Sequence, residues 1–378
     1  MTEPAESQID DDKPIIIDEH GKQPRLQFWH QLERRQKIIL AAVVVVVLAA
    51  LIFGAVKIFG GGSSVSPGHK ARQNAAKAAP VVSPLTGLEV SAEASRRPVT
   101  GIMIENSPDA RPQSGLQDAG IVFEAVAEGG ITRFIALYQD AQPSYVGPVR
   151  SLRPYYLDWA VPFQASIAHV GGSPAALDQV RAGMRDLDQF FNAGAYWRVG
   201  SRPSPHDVYT SFGKLNELNQ AKGYTSSSFN PWPRKAEAPL ATLGAKSIDL
   251  HLSGGLYDVH YDYDKANNFY FRYEGGVPHY STSSEDPGSK AHLHPKTVVA
   301  LVIPFSIVDG DGHGSYSVNG SGPLFIFQDG GVNVGNWYKD SRDAGYTFKD
   351  PSGNLLKLNP GQTWVTAVAS SDSVNYTP

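Results

Sequence analysis

The hydrophobic pattern changes once along the chain, near residue 80. Residues 38–56 form an apolar run without a charge, and about 20 apolar residues span a bilayer. After residue 80 the apolar residues fall into short segments, many of which alternate with polar positions as half-buried strands do. The pattern predicts a single N-terminal transmembrane helix, then an α+β domain at 83–230 and a β-rich domain, a sandwich or open barrel, at 240–370.

The charges around the apolar run predict its orientation. Arg34, Arg35 and Lys37 precede the run, whereas only Lys57 closely follows it. By the positive-inside rule, the acidic and disordered tail 1–37 stays in the cytoplasm. The folded domains are then extracytoplasmic, and the protein is a single-pass protein of the cell membrane.

The segment 57–82 separates this run from the folded part and is rich in Gly, Ser and Ala, which is typical of a flexible linker. The alternative interpretation of the apolar run is a cleavable signal peptide, whose apolar core is usually about 7–15 residues long and close to the N-terminus. The run at 38–56 is longer and begins later. An uncleaved helix in the lipid bilayer is therefore favoured.

Composition excludes several chemistries. The chain has no cysteine, which rules out disulfides, thiolate zinc sites and cysteine nucleophiles. Its net charge of −4 gives no support to nucleic-acid binding, which usually needs a basic surface. The Gly-x-Ser-x-Gly motif of serine hydrolases does not occur. Asp309–Gly314 lacks the distal Glu of an EF-hand loop, and His292 and His294 have no evident third ligand, so no metal or cofactor is predicted.

Residues 121–138 predict a β-hairpin around a two-residue turn at Gly129-Gly130. In that register Arg133 lies diagonally between Glu124 and Glu128 on one face of the hairpin, at roughly 7–8 Å on the backbone. The two carboxylates are four residues apart on one strand, about 13 Å. A glycosidase pair is closer, at about 5–9.5 Å, so this pair is not predicted to act as an acid and a nucleophile.

Two interpretations of this Glu-Arg-Glu face remain open. One is an ion-pair network that is satisfied beneath neighbouring structure. The other is a ligand site, because three charges on one strand face are unfavourable unless each has a partner. The same register places Phe123 and Phe134 together on the opposite, apolar face.

A helix is predicted at 151–161, with Arg150 and Arg153 near its first turn. Their spacing places both guanidinium groups on one side, beside free backbone N–H groups, where they could hold a phosphate or a carboxylate. The alternative is that both arginines pair with Glu105 or Glu124 inside the fold.

Histidines offer weaker signals. His169 ends a predicted strand before a helix at 174–184 that Ser173 caps, and it is either a hydrogen-bonded core histidine or an acid/base catalyst. His206 lies beside Asp207, but adjacent side chains rarely face each other.

From residue 247 onward short strands recur between Gly-rich turns. The predicted strands are Ser247–Leu252, Tyr257–Tyr263, Phe269–Tyr273, Thr297–Ile303, Leu324–Gln328 and Thr363–Val368. Alternation in 259–264 and 269–273 predicts one wet face rich in aromatic residues. Tyrosines of this region, with Trp337 and Trp364, could stack on sugars, meet another domain or pack in the core.

Several polar motifs occur in a specific order along the chain. They are Met103–Asn106, Arg111–Leu116, Glu128–Arg133, Gly147–Arg153 and His169–Ser173. In this order they resemble the YerB-like family of bacterial envelope proteins, a domain of unknown function with the number 3048, over about residues 83–370. The resemblance implies an N-terminal α+β part and a C-terminal β-rich part, held outside the membrane by a lipid or a helix. It brings no established reaction.

The polar motif positions of that family are taken as candidate ligand-binding residues. They are Glu105, Asn106, Arg111, Glu124, Glu128, Arg133, Arg150, Arg153, His169, His206 and Tyr209. Gly120, Phe123 and Asp207 replace residues that are common in the family, so no role is assigned to these side chains.

The leading functional hypothesis is an anchored envelope protein that binds an anionic or glycan-containing ligand through this Glu/Arg/His cluster. Its partner would be a cell-wall polymer or an envelope protein. A second hypothesis is a hydrolase or transferase acting on wall glycan or peptide, with Glu105, Glu124 or His169 as the acid/base residue. A third is a structural scaffold for envelope complexes.

Overall fold

The computed structural model describes residues 81–308 and 314–378. The predicted tail 1–37, the predicted transmembrane helix 38–56 and nearly all of the linker 57–82 lie outside the described residues, as does most of the Asp309–Gly314 loop. Within the two described ranges, no helix is both long and apolar enough to cross a membrane. This part of the chain is mostly β-structure with few helices.

The described residues form short strands connected by turns and three α-helices. The helices are α1 (Pro154–Ala160), α2 (Pro174–Arg181) and α3 (Phe212–Ala221). The strands of the first half are β1 (Val81–Val82), β2 (Glu89–Val90), β3 (Thr100–Glu105), β4 (Gln113–Ser114), β5 (Ile121–Val126), β6 (Thr132–Tyr138), β7 (Ser166–His169), β8 (Asp186–Asp188), β9 (Tyr196–Arg198) and β10 (Val208–Thr210).

The second half contributes only strands and single turns of 3₁₀ helix to the described residues. Its strands are β11 (Ser247–Leu250), β12 (Val259–Asp264), β13 (Phe269–Glu274), β14 (Val277–Pro278), β15 (Tyr280–Thr282), β16 (Ala291–His292), β17 (Thr297–Val302), β18 (Phe305–Ile307), β19 (Gly314–Tyr316), β20 (Gly320–Gln328), β21 (Gly331–Lys339), β22 (Thr347–Lys349), β23 (Thr363–Val368) and β24 (Val374–Thr377).

A ten-stranded mixed sheet joins the two halves, in the order β22-β21-β20-β17-β23-β5-β6-β3-β7-β8. The junction is β23, which runs parallel both to β17 and to β5. Every residue of β17, β23 and β5 is buried, as expected of central strands that are covered on both faces. The segments 83–230 and 240–370 therefore share one sheet.

Helix α1 covers one face of this sheet. The ring of Trp159 stacks on Phe123 of β5 with a centroid distance of 5.3 Å and an interplanar angle of 13°. Burying such large aromatic side chains is a major source of stability. On the other face packs a five-stranded sheet with the order β14-β13-β12-β11-β24, whose Ile248 and Tyr261 share a core with Val298 and Ala300 of β17.

The predicted hairpin at 121–138 exists, but its predicted register is wrong by one residue. Ala127 donates its N–H to the carbonyl oxygen of Ile131 at 2.7 Å, so the turn contains three residues rather than two. Arg133 consequently pairs with Ala125. A one-residue shift moves side chains to the opposite face of a sheet.

The corrected register removes the predicted Glu-Arg-Glu face. Glu124 lies opposite Phe134, and it points away from the face that carries Arg133. Phe123 and Phe134, predicted to share an apolar face, belong to separate cores on the two sides of the sheet. Trp337 and Trp364 are 2% and 0% exposed, so both pack in the core.

Candidate functional site

The end of β3 separates the candidate residues into two groups. Glu105 lies directly opposite Arg133 of β6 and shares its face. Asn106, the next residue, points to the other face and donates to Thr132 Oγ1 at 2.6 Å and to Glu274 Oε1 at 2.5 Å. Alternation along a strand therefore sends consecutive polar residues into two different environments.

The first environment is here called the arginine cluster, defined as Arg133, Arg150 and Arg153 with Glu105, Glu128 and His206. Glu128, in the turn between β5 and β6, forms ion pairs with Arg153 and with Arg133, the latter at 3.4 Å. Arg150 Nε lies 3.5 Å from Glu105 Oε1. Three guanidinium groups thus face two carboxylates.

The arginines of this cluster are incompletely paired. Arg133 donates to the carbonyl oxygen of Ser151 at 2.9 Å, and Arg153 donates to that of Leu152 at 2.6 Å. However, the Nε atoms of Arg133, Arg150 and Arg153 are buried and make no hydrogen bond to any described residue. The 3.5 Å contact of Arg150 Nε is an ion pair that does not meet hydrogen-bond geometry. Unsatisfied buried donors of this kind call for an explanation.

Burial also changes the electrostatics of the cluster. Desolvation lowers the pKa of Arg150, with a further contribution from the neighbouring charge of Arg133, although Glu105 opposes this shift. Desolvation is likewise the main reason why the pKa of Arg153 is lowered. The lowered pKa values of Arg150 and Arg153 indicate guanidinium groups that have lost water without gaining a full set of anionic partners.

His206 completes one end of the cluster. Its Nδ1 lies 2.9 Å from Glu105 Oε2, and Ser107 donates to the other Glu105 oxygen at 3.1 Å. The partner of this imidazole is therefore Glu105, which is distant in sequence, and not the adjacent Asp207. Asp207 instead pairs with Arg198 at 2.6 Å.

Arg153 connects the cluster to a cavity of about 490 Å³ between α1, α2 and β19. The aromatic rings of Tyr155 and Tyr316 line the cavity, and Ser173 adds a hydroxyl group to the lining. The side chain of Ser173 also caps α2 by accepting from Ala176 N. Small-molecule sites occupy about 300–1,000 Å³ and combine apolar walls with a few polar groups, and this cavity meets both criteria.

The second environment is here called the Arg272 network, and its members come from both halves of the chain. Arg272 is fully buried and donates to Glu124 Oε1 at 2.9 Å, to the Tyr261 hydroxyl at 2.7 Å and to His279 Nδ1 at 2.9 Å. Its guanidinium also lies over the ring of Trp364, 4.3 Å from the centroid.

Glu124 is saturated within this network. Its Oε2 accepts from Trp364 Nε1 at 2.9 Å and from Thr366 Oγ1 at 3.3 Å, while its Oε1 accepts from Arg272. The carboxylate is fully buried. Such complete pairing is what a buried charge requires in order to be tolerated.

The histidine of the network is held neutral. Because His279 Nδ1 accepts from Arg272, the proton of the ring is on Nε2, which lies 2.8 Å from Gln113 Oε1. Burial, followed by the charges of Arg272 and Arg111, lowers the pKa of His279 well below its usual value. Burial raises the pKa of Glu274 to about 7, with Glu124 adding to the shift while Arg272 and Arg111 oppose it.

The remaining candidates lie apart from the arginine cluster. Arg111 donates to Glu274 Oε1 at 3.0 Å and so belongs to the edge of the Arg272 network. Tyr209 is buried and stacks on Tyr145 with a centroid distance of 4.5 Å. His169 is fully buried, with Nδ1 2.7 Å from the carbonyl oxygen of Gly171 and Nε2 3.0 Å from Asp186 Oδ1. Both of its nitrogens are therefore engaged in the fold.

Sequence reasoning missed Arg272, Glu274 and His279, which complete the buried network. The available signal was the alternation of β13, where Arg272 and Glu274 occupy the same face as Tyr270. The observed pattern buries these three residues and leaves Phe269, Phe271 and Tyr273 partly exposed. Among the described residues, no group of three or more His, Asp or Glu side chains is arranged to hold a metal ion.

Fold and site together define a β-rich protein with two sequence segments that share a sheet, a buried polar network between them and a partly exposed arginine cluster. The chain belongs to the DUF3048 family. The family model described as the N-terminal domain of this protein of unknown function matches residues 85–225, and the model of its C-terminal domain matches residues 248–365.

A relative and a solved structure agree with this assignment. The chain is 32% identical over 300 residues to YerB of Bacillus subtilis (strain 168), which is named as a candidate lipoprotein, and the match covers 77% of this chain and 87% of YerB. The crystal structure of the YerB protein from Bacillus subtilis matches with a TM-score of 0.69 at 29% identity, covering 79% of this chain and 100% of that chain.

Proposed function

We propose that the protein is a membrane-anchored, extracytoplasmic protein of the cell envelope that binds an anionic group of an envelope ligand at the arginine cluster. The observation that carries the proposal is the set of three buried Nε atoms, on Arg133, Arg150 and Arg153, that make no hydrogen bond to any described residue. A phosphate or carboxylate offers paired oxygens that match the fork of a guanidinium group.

The charge balance supports an anion rather than a neutral group. Three arginines face the carboxylates of Glu105 and Glu128, which leaves a positive excess. Arg150 and Glu128 each keep 28% of the side chain exposed, so one edge of the cluster is open to solvent. The cavity beside Arg153 offers room for the part of the ligand that follows its anionic group.

The membrane anchor follows from composition. YerB is named as a candidate lipoprotein, but a lipid-modified cysteine is not possible here because the chain has no cysteine. The uncharged run at 38–56 is long enough to anchor the chain as a transmembrane helix in place of a lipid. Arg34, Arg35 and Lys37 before the run then place the folded domains outside the membrane.

Calorimetric titration of the full-length protein in detergent micelles with inorganic phosphate tests the proposal. We expect saturable binding that weakens at high salt. Arg150→Ala should lower the affinity about tenfold or more, because it removes a charge-assisted hydrogen bond of about 1.5–3 kcal/mol. Arg96→Ala, which removes an exposed arginine elsewhere, is the matched control.

A wild-type protein that binds neither phosphate nor a soluble anionic wall polymer would contradict the proposal and favour the scaffold hypothesis. So would an Arg150→Ala variant that is folded and binds with unchanged affinity. Arg150→Lys separates the contribution of the positive charge from that of the paired guanidinium donors. The lysine keeps the charge but cannot donate two parallel hydrogen bonds to one anion.

One observation favours hydrolysis or group transfer as a second candidate function. Of the acid/base candidates, Glu124 and His169 are fully buried and hydrogen-bonded within the fold. Glu105 instead contacts Nδ1 of His206, and His206 Nε2 makes no hydrogen bond to any described residue. An imidazole held in this way can act as a general base. Loss of turnover of a soluble wall fragment in His206→Ala, with phosphate binding retained, would support this function.

A further inference from the structure

The outer face of the five-stranded sheet carries an ordered row of aromatic side chains. In β13, Tyr270, Arg272 and Glu274 point inward and are buried, whereas Phe269, Phe271 and Tyr273 point outward and stay partly exposed. These three residues are here called the aromatic row. Residues two apart on a strand are about 7 Å apart, so the rings follow one another along a single line.

A row of polar side chains runs beside the aromatic row. In the antiparallel pairing of β12 with β13, His260 lies opposite Tyr273, Asp262 opposite Phe271, and Asp264 opposite Phe269. Residues that lie opposite each other share a face. Each outward aromatic ring therefore has an outward polar side chain of β12 directly beside it, and this pairing repeats along the strands.

The charge of the polar row is moderated by His260. Its Nδ1 lies 2.7 Å from Asp249 Oδ1 and its Nε2 lies 3.1 Å from Asp262 Oδ1. Both nitrogens face carboxylate oxygens, so both carry protons in this geometry. The positive charge of the imidazolium therefore offsets one of the two negative charges of Asp249 and Asp262. The carboxylate oxygens keep lone pairs that can accept further hydrogen bonds.

Histidines border the other side of the row. The ring of His292 stacks on Phe271 with a centroid distance of 4.8 Å and an interplanar angle of 22°, and the ring of His294 lies 4.5 Å from that of Phe269. His292 is also 5.3 Å from Tyr280. These contacts hold the aromatic rings in defined positions while leaving them partly accessible.

We propose that the aromatic row and its polar neighbours form a binding platform for a neutral oligosaccharide, separate from the arginine cluster. A pyranose ring has apolar C–H faces and a rim of hydroxyl groups. The C–H faces match the aromatic row, and the hydroxyl rim matches the acceptor oxygens of Asp262. Asp264 caps the turn after β12 by accepting from Ala266 N and from Asn267. A row of rings with a parallel row of acceptors is suited to a linear chain of sugars rather than to one small ligand.

A basic peptide is the other class that acidic and aromatic residues can recognise. The observations favour the sugar, because His260 already offsets part of the negative charge that would attract a cationic chain. The peptide is nevertheless included in the test as a competing outcome.

The experiment titrates the full-length protein in detergent micelles with a neutral, soluble tetramer of β-1,4-linked N-acetylglucosamine. We expect saturable binding, and a loss of affinity of up to about tenfold in Phe271→Ala, since one aromatic contact is worth about 0.5–1.5 kcal/mol. Phe190→Ala is the matched control, because Phe190 is 68% exposed on another part of the surface. Asp262→Asn should also weaken binding and leaves the aromatic row intact.

Three results would overturn the platform. The first is no binding of the tetramer by the wild type, and the second is equal affinity in the wild type and in both variants. Capture of an oligolysine peptide instead of the tetramer, abolished in Phe271→Ala, would also overturn it by assigning the face to a peptide. The proposal is independent of anion binding, since Arg150→Ala should bind the tetramer like the wild type. Failure of phosphate binding leaves the expected tetramer result unchanged.

Discussion

The arginine cluster and the Arg272 network use the same residue types for different ends. In the network, Arg272 and Glu124 are fully buried, and every oxygen of Glu124 has a donor within the fold. In the cluster, Arg150 keeps 28% of its side chain exposed and its Nε makes no hydrogen bond to any described residue. The difference lies in the arginines: Arg272 is fully paired by the fold, whereas each arginine of the cluster keeps an Nε atom without a hydrogen bond in the described part of the chain. Buried carboxylate oxygens without a hydrogen bond to any described residue occur in both regions, at Glu274 Oε2 and at Glu128 Oε2.

The two regions also differ in what they connect. The Arg272 network joins residues of β5 to residues of β13 and β23, so it ties the two halves of the sequence together across the sheet faces. The arginine cluster is built within the first half, from the end of β3, the turn before β6, the segment before α1 and the loop that carries His206. Changes in the network should therefore act on folding, and changes in the cluster on binding.

The largest effect is expected for Arg272→Ala. Removing the guanidinium leaves the buried carboxylate of Glu124 without its charged partner, which typically lowers the free energy of unfolding by about 3–5 kcal/mol. Denaturant unfolding followed by circular dichroism measures the change, with Arg96→Ala as the control for loss of an arginine. Arg272→Met together with Glu124→Leu should lose less stability than Arg272→Ala, because no uncompensated charge remains. Wild-type stability in Arg272→Ala would refute the structural role.

An intermediate effect is expected from pH, through Glu274. Its pKa is raised to about 7 in the fold, mainly by burial, whereas an exposed Glu titrates near 4.3. Between these values the folded protein binds more protons than the unfolded chain does. The contribution of this group to stability is therefore present below about pH 4 and is lost as the pH rises through 7. The loss is at most about 3.7 kcal/mol, since one pKa unit corresponds to about 1.36 kcal/mol.

Unfolding midpoints of the wild type and of Glu274→Gln between pH 4 and 8 measure this dependence. The amide cannot ionise, so the variant should lose less stability with rising pH than the wild type does. Parallel curves would show that the pKa of Glu274 is the same in the folded and unfolded states and that other groups determine the pH dependence.

Only some features of the two regions are predictable from the sequence. The strand at 363–368 follows from its local pattern, but its position between β17 and β5 does not, because parallel pairing joins segments that are distant in sequence. The hairpin at 121–138 was likewise predictable, but its register depended on whether Glu128 belongs to the strand or to the turn. Because Glu128 belongs to the turn, Glu124 and Arg133 lie on opposite faces of the sheet and not on the same face.

The residues of the candidate site are predictable from the family motifs, but their division between two environments is not. Six of the polar motif positions lie together in the arginine cluster, namely Glu105, Glu128, Arg133, Arg150, Arg153 and His206. Asn106, Arg111 and Glu124 came from the same motifs but belong to the Arg272 network. A motif records which residues occur near each other in sequence, whereas strand alternation decides on which face each of them lies.

The smallest effect on stability, and the one that distinguishes the two regions most directly, is expected for Glu128→Gln. Glu128 is 28% exposed, so loss of its ion pairs with Arg133 and Arg153 should lower the free energy of unfolding by at most about 1 kcal/mol. The same change removes one of the two carboxylates that compete with an incoming anion for these arginines. Phosphate affinity should therefore rise, by roughly threefold at low salt, as measured by calorimetry. An unchanged or lower affinity in a folded Glu128→Gln variant would mean that Glu128 and its arginines form a second structural network rather than a site for an anion.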